Sequence, residues 1–407
     1  MKKILTVCAA AAMMAACAKE MPQTPDFGVL SPVEDAEQME VKFHSNVMAS
    51  VQTKAQGGVD VWNKSQNLYI YGFQRQAEAI DYTEAEPFID NVMAKSPEDP
   101  AADNGIAVND EDGKPFYYTG NYTYDFYGYY VDDLAAAPQV DADGVYLNLE
   151  LTGGEDVMLA KSVPAVDVQK AKDNGVFKGD ASWKDGYAYS AYAARRGVQP
   201  SLTFKHQLVR FTFQITSGTV FEDGDALYIK ELTMSARNSA KLYVAGNKTG
   251  WADISDELAE ITLRSLDGEE LVAMEPFEVP SADDNAQAIA IGESLMVIPN
   301  EAPVAPADDS YALSLLMEQA GKTITYPVDI KFSKVTNAVA GQTQFTAGYS
   351  YRVTIKVYGL EKVEISAELE PWLPGGDLDV DTDDAPEVYD EPLTPEVDDN
   401  QEEENVW

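Results

Sequence analysis

The residues that could carry acid–base or metal chemistry are few, because the chain has only two histidines, His44 and His206. A catalytic or metal-binding histidine needs further donors or an orienting partner close by. His206 follows Phe204 and precedes Leu208 in an alternating apolar stretch, which favours a histidine packed within a strand. A metal ligand or general base is the alternative interpretation.

The carboxylates are abundant but carry little information about catalysis. Among 69 Asp and Glu residues, some pair with the spacing that glycoside hydrolysis needs is inevitable. The segment 110–113, DEDG, resembles the start of a calcium loop but lacks the spaced ligands and the closing glutamate, so a turn is expected. No G-x-S-x-G or H-E-x-x-H motif occurs. The sequence therefore predicts no catalytic residue, no metal site and no cofactor.

The segment 116–130, FYYTGNYTYDFYGYY, packs nine aromatic residues into fifteen positions. Such rings could stack on the apolar faces of sugars. Alternation at Tyr122, Tyr124 and Phe126 is typical of a strand in a β-sandwich. The pattern favours the core and rim of a sandwich, with sugar binding as the alternative.

The charge balance excludes two classes of partner. The chain has 29 basic against 69 acidic residues, a formal net charge of −40. Repulsion makes nucleic acid and anionic lipid poor partners for such a surface. No nucleic-acid function is expected.

The N-terminus predicts export. Lys2 and Lys3 precede a short apolar run at 4–14, which is shorter than the roughly 20 residues of a membrane span, so residues 1–16 are predicted to be a signal peptide. The run ends in Met-Ala-Ala-Cys, which resembles a bacterial lipobox and makes Cys17 the predicted lipidation site. Ordinary secretion, with Cys17 incidental, is the alternative. Once Cys8 is removed and Cys17 is acylated, stability must come from core burial without disulfides.

Short alternating strands bounded by Gly, Pro, Asn or Asp recur along the rest of the chain, and they indicate an all-β fold of sandwiches. A first strand is expected at 41–51, with Val41, Phe43, Ser45, Val47, Ala49 and Val51 in one phase, and a second, apolar on both faces and therefore central, at 68–73. The segment 141–144, DADG, predicts a hairpin turn between strands. Residues 202–215 form the clearest strand and open the second half. Their apolar phase shifts at Leu208 and Val209, and a bulge there would explain the shift.

Composition shifts divide the chain into five parts. Residues 17–38 are an acidic, proline-containing tether, 39–198 and 199–376 are predicted to be N-terminal and C-terminal β-sandwich domains, and 377–407 is an acidic tail. Within the first domain, 84–114 is predicted to be an acidic insertion, and the loose pattern at 161–200 marks the boundary. The tail has fourteen acids and three prolines and cannot bury enough apolar area to fold alone.

Eight short segments occur in an order that is not random. They are, in chain order, Cys17 of the lipobox, the strand at 41–51, Asp125-Phe126-Tyr127-Gly128-Tyr129-Tyr130, Glu155-Asp156-Val157-Met158-Leu159-Ala160, Leu202-Thr203-Phe204-Lys205-His206-Gln207-Leu208, Leu295-Met296-Val297-Ile298-Pro299, Gly348-Tyr349-Ser350-Tyr351 and Pro371-Trp372. This order resembles the fimbrillin family, the lipoprotein-exported pilus subunits of Bacteroidota, over residues 41–372.

The resemblance implies two tandem β-sandwich domains of transthyretin-like, Greek-key topology in a subunit that polymerises by strand exchange. In that family a surface protease removes the first strand, and the exposed groove accepts a strand from another subunit. The removable strand would be 39–52. The usual cut follows an arginine, whereas the first arginine here is Arg75, so Lys54 is the candidate processing site.

The sequence thus predicts a non-enzymatic structural subunit of a fimbria, anchored in the outer membrane at the cell surface through its lipid. Its expected partners are other fimbrial subunits, with an adhesive role and a host or bacterial surface ligand left open. A surface glycan-binding lipoprotein that uses the tyrosine-rich segment is the alternative, and a secreted hydrolase is a more distant one.

Overall fold

The computed structural model describes residues 39–370 except for 49–65, 76–80, 98–103, 121, 133–134, 179–183, 222–224, 268–269, 283–286 and 301–308. Cys17, Lys54, the signal peptide 1–16, the tether 17–38 and the tail 377–407 lie outside the described residues. The described part is an all-β structure with few helices. None of its helices has the length and hydropathy needed to cross a membrane.

The first half, through residue 206, contains both α-helices. Its elements are β1 (Phe43–Met48), β2 (Asn67–Gln74), β3 (Pro87–Lys95), β4 (Gly105–Ile106), β5 (Tyr124–Val131), β6 (Gln139–Asp141), β7 (Gly144–Glu150), β8 (Val157–Lys161), α1 (Pro164–Asp173), α2 (Ala191–Ala194) and β9 (Ser201–His206), with short 3-10 turns at Tyr82–Glu84 and Asp185–Tyr187.

The described residues of the second half form strands and a 3-10 turn at Phe332–Lys334. Its strands are β10 (Val209–Ser217), β11 (Leu227–Ala236), β12 (Ser239–Gly246), β13 (Gly250–Ala252), β14 (Ala259–Thr262), β15 (Arg264–Asp267), β16 (Glu270–Ala273), β17 (Phe277–Glu278), β18 (Ile289–Ala290), β19 (Leu295–Val297), β20 (Ser310–Gln319), β21 (Lys322–Lys331), β22 (Val335–Thr336), β23 (Ser350–Val357) and β24 (Val363–Glu370).

A seven-stranded sheet with the order β3-β2-β5-β8-β9-β1-β4 organises the first half. It is buried on both faces. On one face, residues of β1, β2, β5 and β9 pack against α1, α2 and the loops beside them. On the other face, β2, β5 and β8 pack against a four-stranded sheet, β13-β12-β7-β6. This confirms the prediction that the strand at 68–73 is central, because β2 lies between β3 and β5 with apolar side chains buried on both sides.

The second half packs two sheets face to face. A six-stranded sheet, in which β10 pairs with β23 and β23 with β24, covers a five-stranded sheet built on β11, β20 and β21. At the centre of this core the ring of Phe211 lies 5.1 Å from that of Tyr311, 5.2 Å from that of Phe345 and 5.8 Å from that of Tyr351. The contacts with Tyr311 and Phe345 are edge-on and that with Tyr351 is tilted, and aromatic packing of this kind adds to the apolar burial.

Residues 202–215 are not one bulged strand, and that prediction is wrong. They form two strands in different sheets: β9 joins the seven-stranded sheet beside β1 and β8, and β10 opens the six-stranded sheet. Gln207 and Leu208 make the crossing. The phase shift at Leu208 is real, but its cause is that the chain changes sheets, since each sheet presents its own buried face.

Two further predictions about the first half need correction. The segment 84–114 is not simply an insertion, because it contains β3, which pairs with β2 along most of its length. The segment 161–200, predicted to be a loose boundary, contains α1 and α2. Val168, Ala193 and Val198 there are buried against the seven-stranded sheet. Alternation is weak in both segments, since one is acidic and the other is helical.

Candidate functional site

The aromatic segment 116–130 lies in the core. Tyr118, Tyr124, Phe126, Tyr127 and Tyr129 are each at most 5% exposed. Their rings contact one another and the rings of β2. A sugar cannot stack on a ring whose two faces are already covered, so these five rings are not available to a glycan, while Tyr122 of the same segment is 45% exposed. The segment is therefore core and rim of the sandwich, as predicted.

The two histidines do not form a site together. His44 lies on β1 and pairs with Ser201, the first residue of β9, whereas His206 is the last residue of β9. Five residues of strand separate the two positions by roughly 16 Å. The Nδ1 atom of His44 lies 3.2 Å from Oδ1 of Asn104, and Nδ1 of the buried His206 lies 2.9 Å from a carboxylate oxygen of Asp156. Both contacts tie neighbouring segments together.

The acidic segment 110–113 is a turn, as expected. One carboxylate oxygen of Asp110 accepts hydrogen bonds from the N–H groups of Asp112 (3.0 Å) and Lys114 (2.8 Å), and the ammonium group of Lys114 pairs with the carboxylate of Asp112 at 2.9 Å. Local bonds of this kind are the usual reason for aspartate in turns. Among the described residues, no three His, Cys, Asp or Glu side chains are grouped so that they could hold a metal ion.

The feature that stands out is the position of the first strand. We use "first-strand slot" for the place that residues 39–48 occupy between β9 on one side and β4 with residues 116–118 on the other. On the first side β1 pairs in parallel with β9, and His44 N–H donates to the Pro200 carbonyl at 3.2 Å. On the second side Val41 N–H donates to the Phe116 carbonyl (2.8 Å).

The second side of the slot continues from Met39 to Ser45. Tyr118 N–H donates to the Met39 carbonyl at 2.9 Å, and Ser45 N–H donates to the Asn104 carbonyl at 2.8 Å. Between these contacts, Phe43 pairs with Ile106 of β4. The segment is therefore held by main-chain bonds along both of its edges, and its partners lie some sixty to more than one hundred and fifty residues away in the sequence.

Alternate side chains of this segment enter the core. Val41, Phe43 and Ser45 are buried, and the ring of Phe43 packs edge-on against that of Phe126 with 5.1 Å between centroids. Lys42 is exposed. The predicted strand phase through Val41, Phe43 and Ser45 is confirmed, while residues 49–51 of the predicted strand lie outside the described residues.

A buried carboxylate on α1 bonds to the first residue of β9. Asp167 on α1 is 4% exposed, and its Oδ2 accepts hydrogen bonds from Ser201 N–H at 2.9 Å and from the Tyr189 hydroxyl. Burial raises the pKa of the Asp167 carboxyl above its ordinary value, although the bonds from Tyr189 and Ser201 oppose that rise. Burial likewise raises the pKa of the Tyr189 phenol. Asp167 thus caps the N–H group of the first residue of β9, which β8 does not reach, since β8 pairs only with His206 and Lys205.

Comparison with known proteins identifies the family. A sequence profile described as fimbrillin-like matches residues 53–372, which is most of the chain. The chain belongs to the fimbrillin-like family. The match begins after β1, so β1 itself lies outside the matched part of this fimbrillin-like chain.

Solved structures that are similar to this fimbrillin-like chain include three fimbrial proteins. A fimbrial protein from Bacteroides vulgatus is 12% identical, with a TM-score of 0.45 over 82% of this chain and 99% of that one. The fimbrial anchor protein Mfa2 from Porphyromonas gingivalis is 10% identical, with a TM-score of 0.34 over 82% and 98%. The tip fimbrial protein Mfa3 from the same organism is 10% identical, with a TM-score of 0.27 over 82% and 100%. A search of curated proteins finds no significant match, and the family assignment rests on the sequence profile.

The first arginine is firmly held. Arg75 follows β2, and its guanidinium group donates to the Asp125 carboxylate at 2.8 and 3.0 Å and to the carbonyl oxygens of Tyr124 and Gly186 at 3.0 Å. A protease would have to break all of these bonds to bind this arginine. The predicted processing site Lys54 and the predicted lipidation site Cys17 lie outside the described residues and stay predictions.

Sequence reasoning missed two residues that shape the first-strand slot. Asp167 carried no signal beyond a carboxylate among apolar neighbours in a helix. Gln199, whose side chain also bonds to residues 40 and 42, precedes a proline and a strand. That position indicates a strand entrance but does not reveal which chain segment lies opposite.

Proposed function

We propose that this chain is a non-enzymatic structural subunit of a cell-surface fimbria, and that it joins other subunits by strand exchange at the first-strand slot. The observation that carries the proposal is the pairing of one segment with two edges in a member of the fimbrillin-like family: residues 44–48 pair with β9, and residues 39–45 bond to β4 and the segments beside it. Removing these residues would leave two facing sheet edges with unpaired N–H and C=O groups. An extended segment from another subunit would restore those bonds.

The proposal includes the route to the surface. The chain would be exported with the signal peptide 1–16, acylated at Cys17 and anchored in the outer membrane until a protease cuts after Lys54. Family membership supports this route, as does the way in which Arg75 is held. The terminal residue of the surface protein tests it: Cys17 indicates an anchored chain and Ala55 a processed one.

The proposal keeps two tandem sandwich domains but adjusts their border. The predicted domains are 39–198 and 199–376. Because β9 pairs with β1 and β8, and the chain changes sheets at Gln207, we place the border after β9. Strand β12 then crosses back to pair with β7 of the first domain.

A reversible cross-link tests the strand exchange. His44 and Ser201 are directly paired across β1 and β9, and paired Cα atoms in a sheet lie within the range that a disulfide spans. In cells that carry His44→Cys with Ser201→Cys, oxidation should prevent filaments and a reductant should restore them, as seen by electron microscopy.

Each single cysteine variant is the matched control and should form filaments under both conditions. Filaments assembled from chains in which mass spectrometry finds the disulfide intact would show that β1 does not leave, and would overturn the exchange mechanism.

A further inference from the structure

One side chain acts as part of the sheet at the entrance of the first-strand slot. The Gln199 amide Nε2 donates to the Glu40 carbonyl at 3.1 Å, and its Oε1 accepts from Lys42 N–H at 3.1 Å. The Tyr118 hydroxyl lies 3.5 Å from the same Oε1. Both strong bonds go to main-chain atoms of the segment that leads into β1.

Pro200 explains why a side chain takes this position. In a regular parallel ladder, a residue bonds to the two neighbours of its partner. His44 follows the rule, since its N–H donates to the Pro200 carbonyl. One step earlier, Lys42 would bond to residues 198 and 200, but Pro200 has no N–H to donate. The missing N–H of Pro200 would leave the Lys42 carbonyl without a ladder donor, so the regular backbone ladder stops there. Beyond that point the Gln199 amide holds the segment through two other main-chain groups, the Lys42 N–H and the Glu40 carbonyl.

We propose that Gln199 is a backbone clamp for whatever extended segment enters the first-strand slot. This inference rests on the strand exchange proposed above and names the side chain that captures the incoming strand. Because the clamp bonds to N–H and C=O groups, it selects for an extended main chain and is indifferent to the side chains at these positions. A segment with proline at the position of Lys42 would lose the bond to Oε1.

The position of the clamp gives it a kinetic role. It lies at the entrance, where residues 39–41 are bonded on their other side by residues 116–118. A strand that leaves the slot must break the bonds at this end as well as its ladder with β9. Loss of the clamp should therefore speed release of the strand, while the sandwich cores, which Gln199 does not enter, stay intact.

The test measures strand release from a nicked chain. The chain from Cys17 onward has one thiol, which carries a fluorophore, and a recognition sequence for a specific protease is inserted after Lys54. After cleavage, excess unlabelled peptide 39–54 prevents rebinding, and fluorescence anisotropy falls as the labelled fragment leaves. Urea at concentrations below the global unfolding transition accelerates release, so that a slow rate becomes measurable.

Gln199→Leu should speed release on the order of tenfold, because two main-chain groups lose their partner. Gln199→Glu should also speed release, since a carboxylate can still accept from Lys42 N–H but cannot donate to the Glu40 carbonyl. Lys42→Ala should release within twofold of the parent, because the clamp bonds to the backbone. Gln207→Leu is the matched control, since that amide donates to the carbonyl of Lys205 (2.8 Å), two residues before it, and not to the first strand.

Release from Gln199→Leu within twofold of the parent would overturn the clamp, and so would an equal acceleration in Gln207→Leu. A different outcome would contradict the exchange mechanism and leave the clamp in place: the nicked parent forms no filaments, although Gln199→Leu still speeds release of the fragment.

Discussion

The first-strand slot and the outer edge of β21 both offer main-chain hydrogen-bonding groups at the border of a sheet, and they close that border in different ways. In the slot, a separate strand covers two edges at once, with bonds to β9 on one side and to β4 on the other. At β21 no further strand is found among the described residues, and the ten-residue strand ends the five-stranded sheet.

The composition of β21 compensates for its open edge. Ala320 and Gly321 form a two-residue turn with φ values of 50° and 72°, so Gln319 and Lys322 are a hydrogen-bonded pair. From Lys322 onward, the main-chain N–H and C=O groups of every second residue bond to β20. The main-chain groups of the residues between them point to the free edge of the sheet. Pro327 is one of the residues whose main-chain groups point to the free edge. Its missing N–H interrupts the row of donors at that edge and removes no hydrogen bond between β20 and β21.

The difference bears on the strand exchange proposed above. At the β21 edge, the proline that hinders pairing is part of the strand itself. In the slot, a separate segment covers the edges, and its removal would leave the main-chain groups on both sides unpaired. A subunit that must polymerise without aggregating gains from having one exchangeable edge and one blocked edge, because a polymer then grows at a single kind of joint.

The largest expected effect concerns neither edge but the core behind them. Phe211→Ala removes a fully buried ring from the aromatic cluster of the second half, and it should lower the free energy of unfolding by about 3 to 5 kcal/mol. Urea titration measures it. Release of the first strand from the nicked chain should not change, since Phe211 lies in a different sheet. A melting curve like that of the parent would show that this cluster is not packed as described.

Phe43→Ala should weaken the slot itself. Phe43 is buried against Phe126, and losing its ring should cost about 3 kcal/mol. The loss should also accelerate release of the strand, in contrast to Phe211→Ala. Thr325→Ala on the outward face of β21 is the control, with an expected change below about 1 kcal/mol. If Phe43→Ala left both stability and release unchanged, β1 would not be a packed part of the sheet.

Pro327→Thr should open the blocked edge. The new N–H completes the row of outward donors, so the chain should self-associate at lower concentration, by roughly severalfold, in sedimentation velocity. Stability should fall by about 0.4 to 1 kcal/mol, because the unfolded chain gains freedom. Thr325→Val adds no donor and serves as the control. Association of that control to the same extent would assign the effect to side chains and not to the edge.

Asp167→Asn should produce the smallest effect, one that depends on pH. Burial holds the pKa of Asp167 above its ordinary value, so the folded chain keeps this proton at a pH at which the unfolded chain has lost it. The parent should therefore gain stability over the variant as the pH falls through the raised pKa, and lose it as the pH rises. The asparagine side chain of the variant can still accept hydrogen bonds from Ser201 and Tyr189. Lys170 and His44 interact electrostatically with the carboxylate of the parent, and the variant has no such charge.

Urea titrations of both proteins at several pH values measure this difference, in which the contributions of the other carboxylates cancel. A difference that is flat with pH, or that favours the variant at low pH, would contradict the described burial.

The all-β class, the strand phases and several turns could be predicted from the sequence. Alternation placed Val41 and Phe43 inward, apolar residues on both faces marked β2 as central, and Asp141 to Gly144 indicated the hairpin between β6 and β7. These features are local, because side-chain direction in a strand has a period of two and turns depend on a few adjacent residues.

The sheet in which each strand lies was decided only by the tertiary structure. The phase shift at Leu208 was visible in the sequence, but a bulge and a change of sheet produce the same pattern of faces. The choice between them depends on pairing with β1 and β23, segments more than one hundred residues away. Alternation with a period of two indicates which side chains of a strand are buried. It does not indicate which other strand the main chain pairs with.

The first-strand slot shows the same division. The sequence by itself determined that residues 41–45 form a strand with Phe43 inward. Only the tertiary structure decided that this strand lies parallel to β9, that Asp167 caps the start of β9 and that Gln199 continues the ladder past Pro200. The physical reason is that main-chain N–H and C=O groups are the same in every residue, so their partners are chosen by how distant segments pack and not by residue type.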